Sequence, residues 1–296
     1  MSLRNTLVGL EAKAVSFDIS QRALILLKGP ESLDFLHRIS TNDLASLAVG
    51  ATTQTALITE KGRIFDVLSV ARILKDELLL AASSDDEHRL ATWLQKFIIM
   101  EDIEVEKVKS LYNQNLIKPF DENTENEIIR SEPIVITEGY QSSKWYRLIT
   151  RKSGQTNSIP AIYKKGSGEQ LDVARIKDGI PAFPQELNEE HNPLEANLKH
   201  MISFKKGCYV GQEVISRLDT YQKIQFMLAR VSLSALPESL PATIRSEGVQ
   251  TGVLTSAINS MSDNSIIGLA YIQTKFLQAE QAIGRIGDSI EVKVRG

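Results

Sequence analysis

Apolar residues recur at different spacings along the chain, and each spacing predicts an element. Residues 22–27 form a short apolar run, the pattern of a buried strand. Gly29-Pro30 then predicts a helix start, with Pro30 at the first helical position, where its missing N–H costs nothing. Leu33, Leu36 and Ile39 follow at helical spacing and mark that helix's core face. Residues 51–59, 63–73 and 78–82 read as three strands, the first two joined by a turn at Glu60-Lys61-Gly62. Ser84-Asp85-Asp86-Glu87 predicts a second helix, because its oxygens accept from free N–H groups and suit the positive helix end. Leu90, Leu94, Phe97 and Ile98 supply its buried side, and residues 103–106 alternate like a half-exposed strand. Strand, helix, three strands, helix, strand predicts an α+β unit with helices on one face of an antiparallel sheet.

Beyond it the pattern weakens. Residues 113–132 are polar and acidic and read as a long surface loop, residues 145–150 resume strand character, and residues 170–178 form a short helix stopped by Gly179-Ile180-Pro181. After Tyr221 the texture changes to apolar runs at 226–233, 249–257, 266–272 and 289–294, which predict a small all-β barrel or sandwich. The expected domains are therefore 1–220 and 221–296.

Composition narrows the class. A chain of 296 residues with 42% hydrophobic and 24% charged residues has enough apolar side chains for a sizeable core. Its net charge of −3 gives no global attraction to nucleic acid or an anionic membrane. The longest apolar runs fall far short of the ~18 residues a membrane span needs. The N-terminal stretch lacks the apolar core and cleavage site of a secretory signal. One cysteine fits a reducing compartment, so the expectation is a cytoplasmic protein with no membrane partner. One thiol with four scattered histidines (His37, His88, His191 and His200) cannot hold an iron–sulfur cluster unaided, and no zinc spacing is present. No metal site is expected in the chain by itself.

The single cysteine lies in KKGCYVGQEVISR, residues 205–217. Gly211 followed by Gln212, Glu213, Val214 and Ile215 reads as a helix start, with Cys208 just before it and Lys205 and Lys206 adjacent. A helix N-terminus and nearby cations lower a thiol's pKa, whereas most free cysteines are buried and inert. Physics alone leaves both readings open. Asp66 is an aspartate in mid-strand, where the type is disfavoured, with Phe65 and Val67 expected on the opposite face. It either meets a ligand or pairs with Arg63. Arg175 either anchors an anionic ligand tail or pairs with Glu186 or Glu189. Gln212 and Glu213 are expected to hold the cysteine loop by hydrogen bonds to its backbone N–H groups.

The segment Lys206-Gly207-Cys208-Tyr209-Val210-Gly211-Gln212-Glu213 resembles the signature of the YgfZ family of folate-binding proteins, implicated in iron–sulfur enzyme maintenance and tRNA modification. That family is related to GcvT, the aminomethyltransferase (T-protein) of the glycine cleavage system. Further matches run along the chain: Thr41-Asn42-Asp43-Leu44, Ala56 through Asp66, Arg175 through Pro181, Gly252 through Ser256, and Gly268 through Ile272. The resemblance implies a GcvT-like α+β fold with two ferredoxin-like lobes around a central cleft and a C-terminal β-barrel. It implies tetrahydrofolate or a derivative as cofactor, and folate, iron–sulfur client or assembly proteins and tRNA as partners. It also implies Cys208 as the functional residue, Asp66, Arg175 and Tyr209 at the cofactor, and Lys206, Gly207, Gly211, Gln212 and Glu213 in support.

Departures from the T-protein pattern matter for the chemistry. T-proteins have two glycines before a double acid in the hairpin; here Arg63 replaces the second glycine, Asp66 keeps the first acid and Val67 replaces the second. Lys177 stands where T-proteins grip the pteridine with a glutamate, and a lysine cannot accept those hydrogen bonds. Asp178, one residue along, points elsewhere on the helix. A folate-dependent aminomethyl- or methyltransferase is thus the second reading. An RNA-binding module using Lys205, Lys206, Arg217 and Lys223 is the third.

Overall fold

The computed structural model describes residues 14–120, 124, 134–140, 143–152, 163–260, 264–278, 282–287 and 289–295. The first part of the chain carries β1 (Ala14–Asp18), β2 (Leu24–Lys28), α1 (Ser32–Ile39), β3 (Thr52–Ile58), β4 (Ile64–Leu74), β5 (Glu77–Ala82), α2 (Glu87–Gln95) and β6 (Glu104–Lys107). Five of these strands form one sheet in the order β3-β4-β5-β2-β6, with antiparallel neighbours throughout. Leaving aside edge strand β3, the order β4-β5-β2-β6 with two helices on one face is ferredoxin-like. Alternation explains the packing. Ile25 and Leu27 of β2 and Leu78 and Leu80 of β5 face the helices, while Leu24, Leu26, Leu79 and Ala81 face the next layer. Phe35, Leu36 and Ile39 bury the inner side of α1, each contributing about 1.5–3 kcal/mol. The Asp86 side chain caps α2 by accepting from Arg89 N–H at 2.9 Å.

The second sheet adds β7 (Tyr112–Pro119), β8 (Val135–Tyr140), β9 (Ser143–Arg151) and β10 (Tyr163–Lys165). Its order is β10-β1-β7-β9-β8, with β10 parallel to β1. The expected polar loop at 113–132 therefore begins as a strand; its residues 121–123 and 125–132 lie outside the described residues. Gln114 and Asn115 are buried there because each finds a partner, Gln114 donating to the Arg22 carbonyl at 2.8 Å and Asn115 accepting from Ser16. After β10, α3 (Gly168–Asp178) ends in a left-handed Gly179, and α4 (Gln212–Thr220) follows Gly211.

The remaining strands are β11 (Phe226–Leu233), β12 (Ala242–Ser246), β13 (Val249–Ser260), β14 (Ser265–Gln273), β15 (Ala282–Ile286) and β16 (Ile290–Val294), which close into a six-stranded barrel. One face of β11 and β14 is not barrel interior. Leu228, Ile267, Leu269 and Tyr271 join Phe17, Val67, Trp145, Ile176 and Ile215 in a central apolar cluster shared by the sheets, α3, α4 and the barrel. Among the described residues no helix is long and apolar enough to cross a membrane.

Candidate functional site

Between the two sheets and the end of α3 lies a small central cavity. Leu116, Trp145, Leu171, Ile180 and Phe183 form its apolar walls, and Arg22, Ser83, Glu138, Tyr140 and Arg175 bring polar groups to it. The enclosed space is about 20 Å³, rising to about 400 Å³ with its mouth. That interior is close to one water's volume. Two ion pairs frame it. Arg147 Nε donates to Glu138 at 2.6 Å and Arg147 Nη1 to the Ala82 carbonyl at 3.0 Å, both side chains being buried. Ser69 also donates to Glu138, at 2.7 Å.

Arg175 is the second frame. Its guanidinium donates to Asp172 at 2.6 Å, Glu186 at 3.1 Å and Ser256 at 3.0 Å, so the pairing role expected of it is seen and its partner is Glu186 rather than Glu189. Glu189 instead lies 3.6 Å from Arg89. Glu186 is fully enclosed, accepting also from Ala182 N–H, Thr255 and Ser256. Arg175 further borders a wider groove of about 550 Å³ with Asp172, Asn188 and His191. The central cavity is the better candidate, because charges taken out of water beside an enclosed space are what a ligand site concentrates.

Asp66 does not reach the cavity. Its carboxylate accepts from the backbone N–H of Val67 at 2.8 Å, of Ser83 at 3.1 Å and of Ser84 at 3.3 Å, and from the Ser84 hydroxyl. It thereby ties β4 to the turn that begins α2. Burial pushes its pKa up, against the pull of the Ser84 and Val67 bonds. The expected Asp66–Arg63 pair is absent; Arg63 donates to the Glu190 carbonyl at 2.8 Å and lies 3.5 Å from Glu195. The expected alternation around Asp66 also breaks. Leu57 pairs with Asp66 and Ile58 with Ile64, leaving Phe65 as the extra residue of a bulge. Phe65 turns to Trp93 in the helix layer, and Val67 joins the central cluster. The side chain facing the molecule's centre at this hairpin is thus a valine.

The cysteine stretch lies apart from the cavity, none of whose lining residues falls in 205–213. Cys208 is exposed. Gly211 has φ of +76° and packs on β3, where an added Cβ would stand 2.5 Å from the Thr59 carbonyl oxygen. The Lys206 ammonium donates to the carbonyls of His37, of Ser40 at 2.8 Å and of Asn42 at 2.8 Å, closing the C-terminal end of α1. Burial lowers its pKa to about 8, so it remains a cation at neutral pH. Tyr209 is buried in the central cluster with its hydroxyl unpartnered, and burial pushes its pKa up to about 12. Glu213 lies 3.7 Å from Arg217 on the same exposed helix face, and the loop is closed by backbone instead, Gln212 N–H donating to the Tyr209 carbonyl at 3.2 Å. Gly207 sits in open space.

Sequence reasoning missed Arg22, Glu138, Tyr140 and Arg147. Arg22 was legible only as the start of a strand, and the other three sit in short stretches whose partners are distant in sequence. Asp178 accepts from Lys118 and from Trp145 Nε1 at 2.8 Å, behind the cavity wall rather than in it. Among the described residues no group of three His, Cys, Asp or Glu side chains is placed to hold a metal ion.

Residues 8–118 match the GCVT N-terminal domain. The chain superposes on the glycine cleavage system aminomethyltransferase T of Bartonella henselae with a TM-score of 0.78, over 96% of this chain and 86% of that one, at 17% identity. It is 24% identical to an aminomethyltransferase of Bacillus pumilus over 99% of this chain and 87% of the relative. It is 30% identical to a chloroplastic protein of Arabidopsis thaliana, provisionally named a transferase, over 88% of this chain but only 65% of that protein's length. The fold is the GcvT-like α+β architecture.

Proposed function

We propose that this chain is a folate-binding protein of the YgfZ type that supports iron–sulfur enzymes through the thiol of Cys208. One combination of observations carries the reading: an exposed thiol on an intact KGCYVGQE loop, and a valine at the centre-facing hairpin position. The T-protein pattern carries a second acid where Val67 stands. The second reading, a folate-dependent one-carbon transferase, is favoured by relatives named aminomethyltransferases that align over nearly the whole chain.

The lining of the cavity suits the ring systems and polar groups of tetrahydrofolate in chemical character, with Trp145 and Phe183 as walls and Arg22, Glu138 and Tyr140 as polar contacts. Entry requires wall side chains such as Phe183 or Leu171 to turn aside, given the small enclosed volume. When bound, tetrahydrofolate supplies a carrier for one-carbon units. This chain's own residues bind and orient it, while Cys208 is presented on the surface to a client or assembly protein, for cluster ligation or thiol exchange. tRNA remains a partner on the resemblance alone. A turnover assay for methylenetetrahydrofolate from an aminomethyl-loaded carrier separates the readings. Folate binding without turnover supports the proposal, and turnover comparable to an authentic T-protein overturns it.

A further inference from the structure

The cysteine stretch sits in a basic part of an acidic chain. Residues 199–225 hold five lysines and arginines against two carboxylates, whereas the whole chain carries −3. Local folding brings several of these cations to one surface. α4 buries Ile215 in the central cluster, which turns Arg217 outward and leaves the following Tyr221 in water. Val214 and Leu218, one turn apart, are half-buried and line a groove of about 200 Å³ with Arg217, Tyr221 and Lys223. A second groove of about 580 Å³ continues from Lys223 past Gln225 and Gln273 to Lys275. Backbone bonds fix this junction: Lys223 N–H donates to the Leu218 carbonyl at 3.1 Å, and Thr274 N–H to the Gln225 carbonyl at 2.9 Å. None of the described residues lining either groove carries a carboxylate. Lys199 donates to Asp219 of α4 at 2.5 Å and lies 5.4 Å from the centre of the Phe204 ring. Tyr221 and Phe204 remain 64% and 40% exposed, so two aromatic rings stand in water among these cations.

We infer that the outer face of α4 and the adjoining barrel entrance form a docking surface for an acidic protein, seated so that its reactive group meets Cys208. The inference rests on the reading of Cys208 as a thiol offered to a partner, and it adds that partner's chemistry. Exposed tyrosine, phenylalanine and arginine around half-buried apolar side chains is the composition of a protein interface. A basic patch on an otherwise acidic chain attracts an acidic partner and repels a basic one. Arg217 shares Glu213 at 3.7 Å in an exposed pair, which a partner's carboxylate replaces at little cost. Val214 and Leu218 give the first groove an apolar lining that takes a leucine or phenylalanine side chain. These features favour protein over nucleic acid. A nucleic-acid site gains its affinity by neutralising about 6–10 phosphates, and the grooves offer three cations on a chain of net charge −3.

The full chain has one thiol, so exchange with a peptide disulfide reports on Cys208 alone. Each probe is a synthetic peptide with a thiopyridyl disulfide at one end and a test segment at the other. About ten residues suffice, because an extended chain covers about 3.3 Å per residue and the nine residues of α4 rise about 13 Å. The Cys208 thiolate attacks the peptide sulfur, a new S–S bond forms, and thiopyridone leaves with the electron pair and takes up the proton. Its absorbance gives the rate. A glutamate–leucine segment is expected to react about tenfold faster than a serine–leucine one, and a lysine–leucine segment more slowly than either. The advantage should vanish in about 1 M salt, where charges are screened beyond about 3 Å. Arg217→Glu combined with Lys223→Glu and Lys275→Glu should abolish it, while the serine–leucine rate and the melting temperature stay at wild-type values. Glutamine at the same three positions tests the point if the charge reversal does not fold. Equal rates for the glutamate and serine peptides overturn the inference. So does an advantage that survives the triple variant, because it then comes from Lys205 beside the thiol. A short oligouridylate that slows Cys208 labelling through the same three residues, with no glutamate advantage, assigns the face to nucleic acid and also overturns it. In each of these cases the role of the thiol stands, since complementation by Cys208→Ser tests that role by itself.

Discussion

His191 lies flat on Tyr271, with ring centroids 3.4 Å apart, and burial with the nearby Arg63 charge lowers its pKa to about 4. An unfolded histidine titrates near 6.5, so the folded state disfavours the proton. The stability that neutral His191 contributes is fully present above pH 6.5 and is lost as pH falls toward 4. Denaturant melts across that window should show the slope, and His191→Phe should keep the stacking while removing most of it. Asp66 gives a second single-residue test. One Asp66 oxygen accepts from the N–H groups of Val67, Ser83 and Ser84, so Asp66→Ala leaves those donors without that acceptor and should lower stability by about 1–3 kcal/mol. The folate-induced rise in melting temperature should remain at the wild-type size. An unchanged unliganded melt with a lost folate shift would return Asp66 to the ligand site. Nothing local in the sequence distinguishes these outcomes, because a mid-strand aspartate looks the same whether it holds a turn or a ligand.

Local patterns read well where packing follows from the chain's own period. β4, β5 and the longer barrel strands were legible as apolar runs of strand length, and α2 by apolar residues repeating at 3.6. β7 was not, since Asn113, Gln114 and Asn115 read as loop until Arg22 and Ser16 satisfy the buried ones. β12 and β15 are five residues each and were also missed. Lys206 shows the same limit at a helix end. Sequence proximity suggested a charge for Cys208, whereas the ammonium crosses to the carbonyls that end α1. Lys206→Met should therefore lower stability by about 1–3 kcal/mol through three lost acceptor contacts. Labelling of native Cys208 by an alkylating probe should stay within about twofold of wild type, as expected of a group spent on those carbonyls. A several-fold slower reaction in a folded Lys206→Met protein would restore Lys206 as the thiol's activator.

Across the whole molecule, one loop joins the barrel to the cavity. Glu186 accepts from Arg175 at the cavity wall and from Thr255 and Ser256 of β13, and Tyr271 of β14 donates to the Glu186 carbonyl at 2.8 Å. The cavity itself draws on residues 22, 83, 116, 138, 140, 145, 171, 175 and 180–183, an assembly no window of sequence displays. The cysteine loop, by contrast, was legible as a contiguous stretch, and the structure exposes its thiol while burying Tyr209 beside it. The architecture thus keeps a candidate cofactor cavity and a surface thiol on separate elements. Serine at position 208 preserves nearly the same volume but offers a hydroxyl that does not ionise readily. At an exposed site it should change folding and folate affinity by less than about 0.5 kcal/mol. The decisive measurement is iron–sulfur enzyme activity in cells that lack the native protein and express Cys208→Ser at the wild-type level. Activity that stays at the level of the empty vector, while the purified variant melts and binds folate like wild type, is the predicted result; full restoration of that activity by Cys208→Ser would contradict it.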